Sequence, residues 1–398
     1  MDTKDAAQRS VDVAIVGAGI GGLTLALALR RHGIGVEVFE RAHELREVGA
    51  AVALAANGSR VLTDLGLGDQ LASVSTVPSS LVYRHWGDAR PLASHTVGDW
   101  YAERFGGPFW GIHRSDLQRV LADAWGSDGL HLGQALVELR EHSAGVEFRF
   151  AGGSQVRARV VVGADGVHST VRRSLTDDVP VYSGTTGFRG LVPIEALPSL
   201  PDPQAVQFWM GPGAHLLHYP IGAMVNFLAV IEGPPIWTEP LGTAIAADGE
   251  LVGHFTGWHP AIIEMLTAVP QSPRWALLSL PSLARWSRDR IVLIGDAAHA
   301  MLPHHGQGAN QTIEDAAVLA DCLAEAGPDR YTVAFGCYER FRRARTRAVQ
   351  LSSSATSGLL HLPDGPVARA RDRELSRLVE KFGWIHAYDA RNVVMGAS

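Results

Sequence analysis

The chain has 398 residues, of which 46% are hydrophobic and 19% charged, and its formal net charge is -6. These values exclude a disordered or fibrous protein, give no electrostatic footprint for nucleic acid, and predict two domains. The two cysteines form no CxxC pair, no apolar run is long enough to span a bilayer, and residues 1–10 lack the apolar core of a signal peptide. We therefore predict a cytoplasmic protein that binds neither nucleic acid nor a membrane.

Residues 12–40 have the pattern of a strand, a helix and a second strand, with a glycine-rich turn after the first strand. In such a turn Gly17 allows a sharp bend, Gly19 lets the backbone approach a pyrophosphate, and Gly22 lets the helix pack closely on the strand. Glu40 closes the second strand, where a carboxylate accepts hydrogen bonds from a ribose with a free 2′-hydroxyl. The segment predicts a dinucleotide site, and a glycine-rich turn without a ligand is the alternative.

Two arginines are further candidates for ligand binding, but the sequence patterns around them are less specific. Arg84 either meets a carboxylate at the border of a pocket or is surface charge. Arg114 begins a predicted helix, and its guanidinium suits phosphate oxygens, although a surface arginine at a helix start would have the same pattern.

The middle of the chain carries a second glycine-centred turn and then a run of strands. A strand at 160–162 ends in the turn 163–166, and a short helix is predicted from Ser169 to Leu175. Antiparallel strands are predicted at 206–210, 216–220 and 225–230.

Within these strands His215 and Tyr219 are four residues apart, which places both side chains on one face of the sheet. One interpretation is that both side chains face a binding pocket. The alternative is that His215 faces solvent and Tyr219 packs in the core.

The last third has a strand at 290–294 that ends in Gly295-Asp296, then a Pro- and Gly-rich turn at 303–310 and a helix at 311–326. A basic amphipathic helix at 338–349 follows, and we predict a solvated helix that packs on the rest of the protein.

The ordered motifs at 17–22, 163–173 and 295–299 resemble those of the single-component (group A) FAD-dependent aromatic hydroxylases, the salicylate hydroxylase-like flavoprotein monooxygenases. The resemblance implies an α/β fold in which a Rossmann-like FAD-binding domain of the glutathione reductase type is interleaved with a mixed-sheet substrate domain, followed by C-terminal helices. The implied bounds are 1–80, 100–178 and 285–350 for the FAD-binding domain, 81–99 and 179–284 for the substrate domain, and 351–398 for the helical segment.

The resemblance also implies FAD as the cofactor and NADH or NADPH as a co-substrate that binds briefly. The stretch 47–58 is similar to one that runs close to the flavin ring, and Arg172 is similar to a residue that serves FAD and NAD(P)H. The turn at 306–310 is similar to one whose N–H groups face the pyrimidine edge of the flavin. The residues expected to bind the cofactor are Gly17, Gly19, Gly22, Glu40, Arg41, Arg114, Asp165, Asp296, Gly306, Gly308, Ala309 and Asn310.

The implied reaction is NAD(P)H- and O2-dependent hydroxylation of a small electron-rich aromatic or heteroaromatic ring, such as a phenolic acid. It proceeds through a flavin C4a-hydroperoxide that an apolar pocket keeps from water. His215 and Tyr219 match the family's His-x-x-x-Tyr, with His215 as the base and Tyr219 orienting the substrate. The residues expected to contact substrate are Arg84, Phe188, His218, Pro303 and His304.

Several questions stay open at this level. A flavin-dependent epoxidase or tailoring oxygenase of natural-product biosynthesis would share the three motifs, and so would a flavin-binding sensor without activity. A disulfide reductase is excluded because there is no CxxC pair, and no metal is required by the chemistry. The sequence names neither the substrate nor the preferred nicotinamide cofactor, and it allows a monomer or a homodimer.

Overall fold

The computed structural model describes residues 10–45, 51–239, 242–269 and 271–394. Residues 47–50, the start of the stretch expected near the flavin, lie outside the described residues. The strands are β1 (Ser10–Val16), β2 (Val36–Phe39), β3 (Ala51–Leu54), β4 (Ser75–Thr76), β5 (Ser80–His85), β6 (Pro91–Thr96), β7 (Trp110–His113), β8 (Leu130–His131), β9 (Leu136–His142), β10 (Gly145–Phe150), β11 (Gln155–Gly163), β12 (Val181–Pro193), β13 (Val206–Gly211), β14 (Ala214–Ile221), β15 (Met224–Glu232), β16 (Thr243–Ile245), β17 (Pro273–Ser279), β18 (Ser287–Arg288) and β19 (Ile291–Leu293).

The helices are α1 (Ile20–Arg31), α2 (Ala56–Leu62), α3 (Gly68–Val74), α4 (Gly98–Phe105), α5 (Arg114–Trp125), α6 (Glu250–Gly253), α7 (Pro260–Thr267), α8 (Asp296–His299), α9 (Gly308–Ala326), α10 (Tyr331–Leu360), α11 (Pro366–Leu375) and α12 (Leu378–Ala387). The helix predicted at 169–175 is only a 3-10 turn, Arg172–Ser174. The basic helix is part of α10, which runs without a break past residue 350. No helix of the described chain has the length and apolar character needed to cross a bilayer.

The first sheet positions all three glycine-centred motifs. Its strands lie in the order β18-β19-β11-β1-β2-β8, and β19, β11, β1, β2 and β8 run parallel. The carboxyl ends of β1, β11 and β19 are neighbours, with Val16 opposite Gly163 and Gly163 opposite Leu293. The turns that follow these strands therefore meet at one edge, where ligands of open parallel sheets bind.

The second sheet has a mixed pattern, in the order β16-β17-β12-β15-β14-β13-β5-β6, with β13 and β5 parallel and its other pairs antiparallel. One face packs against α6 and α7 and buries Phe188, Trp209 and Phe227. Because side chains alternate along a strand, the residues between them point to the other face, where Phe208 and Tyr219 form a separate buried cluster. A third, three-stranded sheet has the order β3-β7-β4. The predicted fold class, an α/β fold with a mixed sheet and C-terminal helices, is confirmed.

Candidate functional site

The three motif turns surround a cleft of 260 Å³, which we call the central cleft. The first motif contributes Gly19, the second Gly166, and the third Gly295 and Asp296. Gly17 fits this junction because its φ is +107° and a Cβ there would lie 2.5 Å from the carbonyl oxygen of Ala164. The first two turns are thus packed backbone against backbone, which only glycine permits.

A second recess of 530 Å³ continues from the central cleft and shares Gly19, Arg114 and Gly166 with it. It is lined by six of the residues predicted to bind the cofactor: Gly17, Gly19, Glu40, Arg41, Arg114 and Asp165. Together the two cavities form an extended groove along the edge of the first sheet, a shape that suits a dinucleotide.

Two carboxylates hold the turns that shape this recess. Glu40 accepts hydrogen bonds from the backbone N–H groups of Ala18 at 2.8 Å and Ala42 at 2.9 Å. Asp165 accepts from the N–H groups of Thr170 at 2.7 Å and Val171 at 3.1 Å. Burial raises the pKa of Asp165, and these hydrogen bonds partly offset that rise.

The start of α9 forms the far wall of the central cleft. Gly306, Gly308 and Ala309 line the cleft, and the N-terminus of a 19-residue helix gives this wall a positive partial charge. Asn310, predicted to bind the cofactor, is fully buried instead: its amide oxygen accepts from the N–H of Ala55, and its amide nitrogen donates to the carbonyl of Ala53, each at 2.9 Å. It fixes the loop to β3 rather than lining the cleft.

Buried charges support this wall from behind, in a group that we call the carboxylate–arginine network: Glu314, Asp315, Arg342, Arg345 and His299. Arg342, which is fully buried, is paired with Glu314 and bonds Asp315 at 2.8 Å. Arg345 holds Glu314 with two hydrogen bonds of 2.7 and 2.8 Å. Each buried carboxylate therefore has a cationic partner, as buried charges require.

The network connects two segments of the central cleft. Asp315 accepts from the backbone N–H of Gly295 at 2.9 Å and from Nε2 of His299 at 2.5 Å. Burial alone would raise the pKa of Asp315, but His299 and Arg342 hold it below its ordinary value. The third motif is thus joined to helix α9 through one ionised carboxylate, that of Asp315. The helix at 338–349 was predicted to be solvated, and the complete burial of Arg342 corrects that prediction for this side chain.

Arg172, expected to serve FAD and NAD(P)H, is also buried. Its guanidinium donates to the backbone carbonyls of Ala297 at 3.0 Å and Ala298 at 3.1 Å. The side chain joins the second motif to the third and does not line either part of the groove.

A smaller cavity of 150 Å³, the side cavity, lies between the second sheet and the C-terminal helix α12. It meets the central cleft at Ala53, Leu217, Tyr219 and Gly306, which line both. Aromatic and aliphatic side chains form most of its wall, and no lysine or arginine is among the described residues that line it. Its volume falls below the range of about 300–1,000 Å³ for drug-sized ligands, so it suits a single small ring.

Three imidazoles pack beside this cavity, and we call them the histidine cluster: His215, His304 and His361. The His215 and His304 rings are edge-on at 5.3 Å, and Nδ1 of His215 lies 2.7 Å from Nε2 of His361. Burial lowers the pKa of His304 to about 3 and of His361 to about 4, and it lowers the pKa of His215 well below its ordinary value. All three rings are therefore neutral at pH 7 and can accept a proton.

The structure brings some of the predicted substrate residues to these cavities. Tyr219 lines both, Pro303 lines the central cleft, and His304 lines the side cavity with neither ring nitrogen hydrogen-bonded to a described residue. His215 lies on the same sheet face as Tyr219 but is 1% exposed and sits behind His304, outside the lining of either cavity.

Three predicted substrate contacts, Arg84, Phe188 and His218, point the other way. Their positions along the strands place them on the face that packs against α6 and α7. Arg84 bonds Gln207 at 2.6 Å and pairs with Asp202, while His218 accepts from Nε1 of Trp209 at 3.2 Å. This corrects the prediction that they reach a substrate in the cavity.

Comparison with known proteins gives a consistent result. A family model described as "FAD binding domain" matches residues 10–222 and 274–351. The chain is 40% identical to a 3-amino-4-hydroxybenzoate 2-monooxygenase of Streptomyces platensis over 96% of this chain and 97% of that protein. It is 31% identical to a 6-hydroxynicotinate 3-monooxygenase of Pseudomonas fluorescens, with 97% of each chain covered.

Among solved structures, a salicylate hydroxylase substrate complex has a TM-score of 0.82 and 29% identity, covering 96% of each chain. Klebsiella pneumoniae HpxO complexed with FAD and uric acid has a TM-score of 0.82 and 27% identity, covering 94% of this chain and 96% of that one.

Proposed function

The chain belongs to the FAD binding domain family of FAD-dependent aromatic hydroxylases, and we propose that it uses NADH or NADPH and O2 to hydroxylate a small aromatic acid. The ring would carry an amino or hydroxyl group. The observation that carries this proposal is the small apolar side cavity, which opens into the central cleft beside neutral imidazoles.

The residues of the groove fit FAD. The recess beside Gly17 and Glu40 would hold the adenosine end, and Asp296 lines the central cleft where ribityl hydroxyls would lie. The N–H groups at the start of α9 would stabilise negative charge on the pyrimidine edge. When bound and reduced by NAD(P)H, FAD would react with O2 and so supply the activated oxygen atom.

The protein's own part in the reaction is to orient the ring, exclude water and move a proton. We propose that Tyr219 orients the substrate at the junction of the two cavities. We propose His215 as the base that accepts a proton from the ring substituent. His304 packs edge-on against His215, and its ring nitrogens have no hydrogen bond to a described residue; we propose that its ring rotates to let the substrate reach His215.

The names of the relatives narrow the substrate class. Their substrates are 3-amino-4-hydroxybenzoate, 6-hydroxynicotinate and salicylate, each an aromatic acid with an electron-donating substituent. Position 2 of 3-amino-4-hydroxybenzoate lies ortho to the amino group and meta to the hydroxyl, so the amino group activates it. Since 40% identity links this chain to such an enzyme, we propose an aminohydroxybenzoate as substrate.

The test is aerobic oxidation of NADH and NADPH by the FAD-loaded protein with 3-amino-4-hydroxybenzoate, 6-hydroxynicotinate, salicylate and 2-aminophenol, with product masses recorded. 2-Aminophenol is 3-amino-4-hydroxybenzoate without its carboxylate and serves as the matched control. We expect stimulated oxidation and a gain of one oxygen with 3-amino-4-hydroxybenzoate. Peroxide without product from every acid would contradict the proposal and favour a tailoring oxygenase, which the size of the side cavity argues against.

A further inference from the structure

His361 extends the histidine cluster away from the side cavity. Its Nε2 lies 2.7 Å from Nδ1 of His215, a hydrogen-bond distance. His361 follows the last residue of α10 and is 7% exposed, whereas Pro363 and Asp364 just beyond it are exposed. The pair therefore leads from the buried cluster to the protein surface.

The fold holds this contact in place. The backbone carbonyl of His361 accepts from the N–H of Gly213 at 3.0 Å. Gly213 has a φ of +68° and forms the turn that leads directly into Ala214 and His215. Leu360, the preceding residue, packs in a buried cluster with Phe208 and Tyr219. One turn thus fixes both imidazoles, although 146 positions separate them in the sequence.

Neither ring of the pair has a carboxylate partner among the described residues. Among the residues that the structure describes, the titratable groups facing the pair are His304 and, beyond it, His305. Burial lowers the pKa of both His215 and His361, so neither ring keeps an extra proton at neutral pH. His299 differs from these two rings because it has a carboxylate partner, the ionised Asp315. A proton that enters the pair must leave it again.

We propose that His361 is a positioning residue that passes the substrate proton from His215 to solvent. The inference rests on the proposed role of His215 as the base. The ring O–H bond breaks as Nε2 of His215 takes the proton. Nδ1–H of His215 gives its proton to Nε2 of His361, and Nδ1–H of His361 gives one to water. Both rings finish neutral in the opposite tautomers, and reprotonation of the product reverses every transfer.

The experiment follows ionisation of a coloured phenol, 4-hydroxy-3-nitrobenzoate, bound to the FAD-loaded protein. After a pH jump across the phenol pKa, stopped-flow absorbance gives the ionisation rate. We expect His361→Gln, which keeps similar volume, to slow ionisation about tenfold or more. Imidazole in the buffer should restore the rate in His361→Ala, whose cavity admits it, but not in His361→Gln.

The matched control is His85→Gln. His85 bonds Asp364, three residues beyond His361, but does not touch the histidine cluster, so its loss should leave the rate unchanged. Equal rates in wild type and His361→Gln, or a slow His361→Ala that imidazole does not restore, would overturn the path and leave the proposed base standing. A bound phenol that fails to ionise even in the wild type would overturn both.

Discussion

The carboxylate–arginine network and the histidine cluster bury polar groups in opposite ways. Glu314 is bonded by Arg342 and Arg345, and Asp315 is bonded by Arg342 and His299, which hold the pKa of Asp315 below its ordinary value. The imidazoles of the cluster instead lose their charge, since no described carboxylate bonds them and burial lowers their pKa values. Buried charges that are paired keep a fixed position, which suits a rigid cofactor loop. Neutral imidazoles, in contrast, can take up and release a proton. We therefore propose that the network supports cofactor binding and that the histidine cluster transfers a proton.

The largest expected effect comes from breaking the network. Arg342→Met would leave Glu314 and Asp315 short of a cationic partner in a buried site, so we expect the free energy of unfolding to fall by about 3–5 kcal/mol. FAD affinity should fall with it, because Asp315 also holds Gly295. Urea unfolding and a flavin titration measure both.

The matched control for this variant is Arg347→Met, an exposed arginine on the same helix. It should cost no more than about 0.5 kcal/mol. Equal losses in the two variants would contradict the role given to the network.

The second effect comes from removing the proposed base. His215→Ala should lower product formation by about 100-fold or more, the scale of general base catalysis, while FAD stays bound. NAD(P)H oxidation should continue and yield peroxide instead of product. Product mass and peroxide are measured in the same reaction. Unchanged product yield would remove His215 from the mechanism.

Arg84 sharpens the comparison because it is a buried cation outside both regions. Arg84→Met should lower the free energy of unfolding by about 1–3 kcal/mol, since Gln207 loses its buried hydrogen-bond partner. The KM for an aromatic acid should stay within about twofold of the wild-type value, because the side chain faces away from the cavity. Arg90→Met, on the same hairpin and 57% exposed, is the control for stability. A KM that rose steeply only in Arg84→Met would return Arg84 to the substrate site.

The smallest effect concerns acid stability. The pKa of His304 is about 3 in the folded protein and that of His361 about 4, against about 6.5 for an unfolded histidine. Between these values the unfolded chain binds more protons, so the free energy of unfolding falls as the pH falls below about 6.5. Urea unfolding at about pH 7 and pH 5 measures this slope. His304→Phe should show a shallower slope than wild type, and an identical slope would contradict the assigned protonation state.

The sequence predicted the structure correctly where the governing rule involves only residues that are close together in the chain. The glycine turn after β1 has a fixed pattern, and period-two alternation placed His215 and Tyr219 on one sheet face. Alternation also puts His218 on the other face of the strand from Tyr219, yet both were expected at the substrate. Which face meets the cavity is decided by the packing of α6 and α7, which strand periodicity does not encode. Arg84 and Phe188 were misplaced for that reason.

The buried network and His361 were missed for a different reason. Arg342 lies among several arginines of α10, a pattern typical of a solvated face. Glu314 and Asp315, adjacent charges beside the apolar stripe of α9, were the one available signal of buried ion pairs. His361 meets His215 only because a turn of the second sheet contacts the end of α10, and that tertiary contact has no local signature.

The most direct test of these separate roles for the network and the histidine cluster uses His215→Ala and Arg342→Met. It measures FAD affinity and the product formed per NAD(P)H in both variants. We predict that His215→Ala binds FAD like wild type and loses product, while Arg342→Met binds FAD weakly and regains product yield when FAD is saturating. If His215→Ala also lost FAD, or if saturating FAD failed to restore product in Arg342→Met, the two regions would not have separate tasks and the account would be wrong.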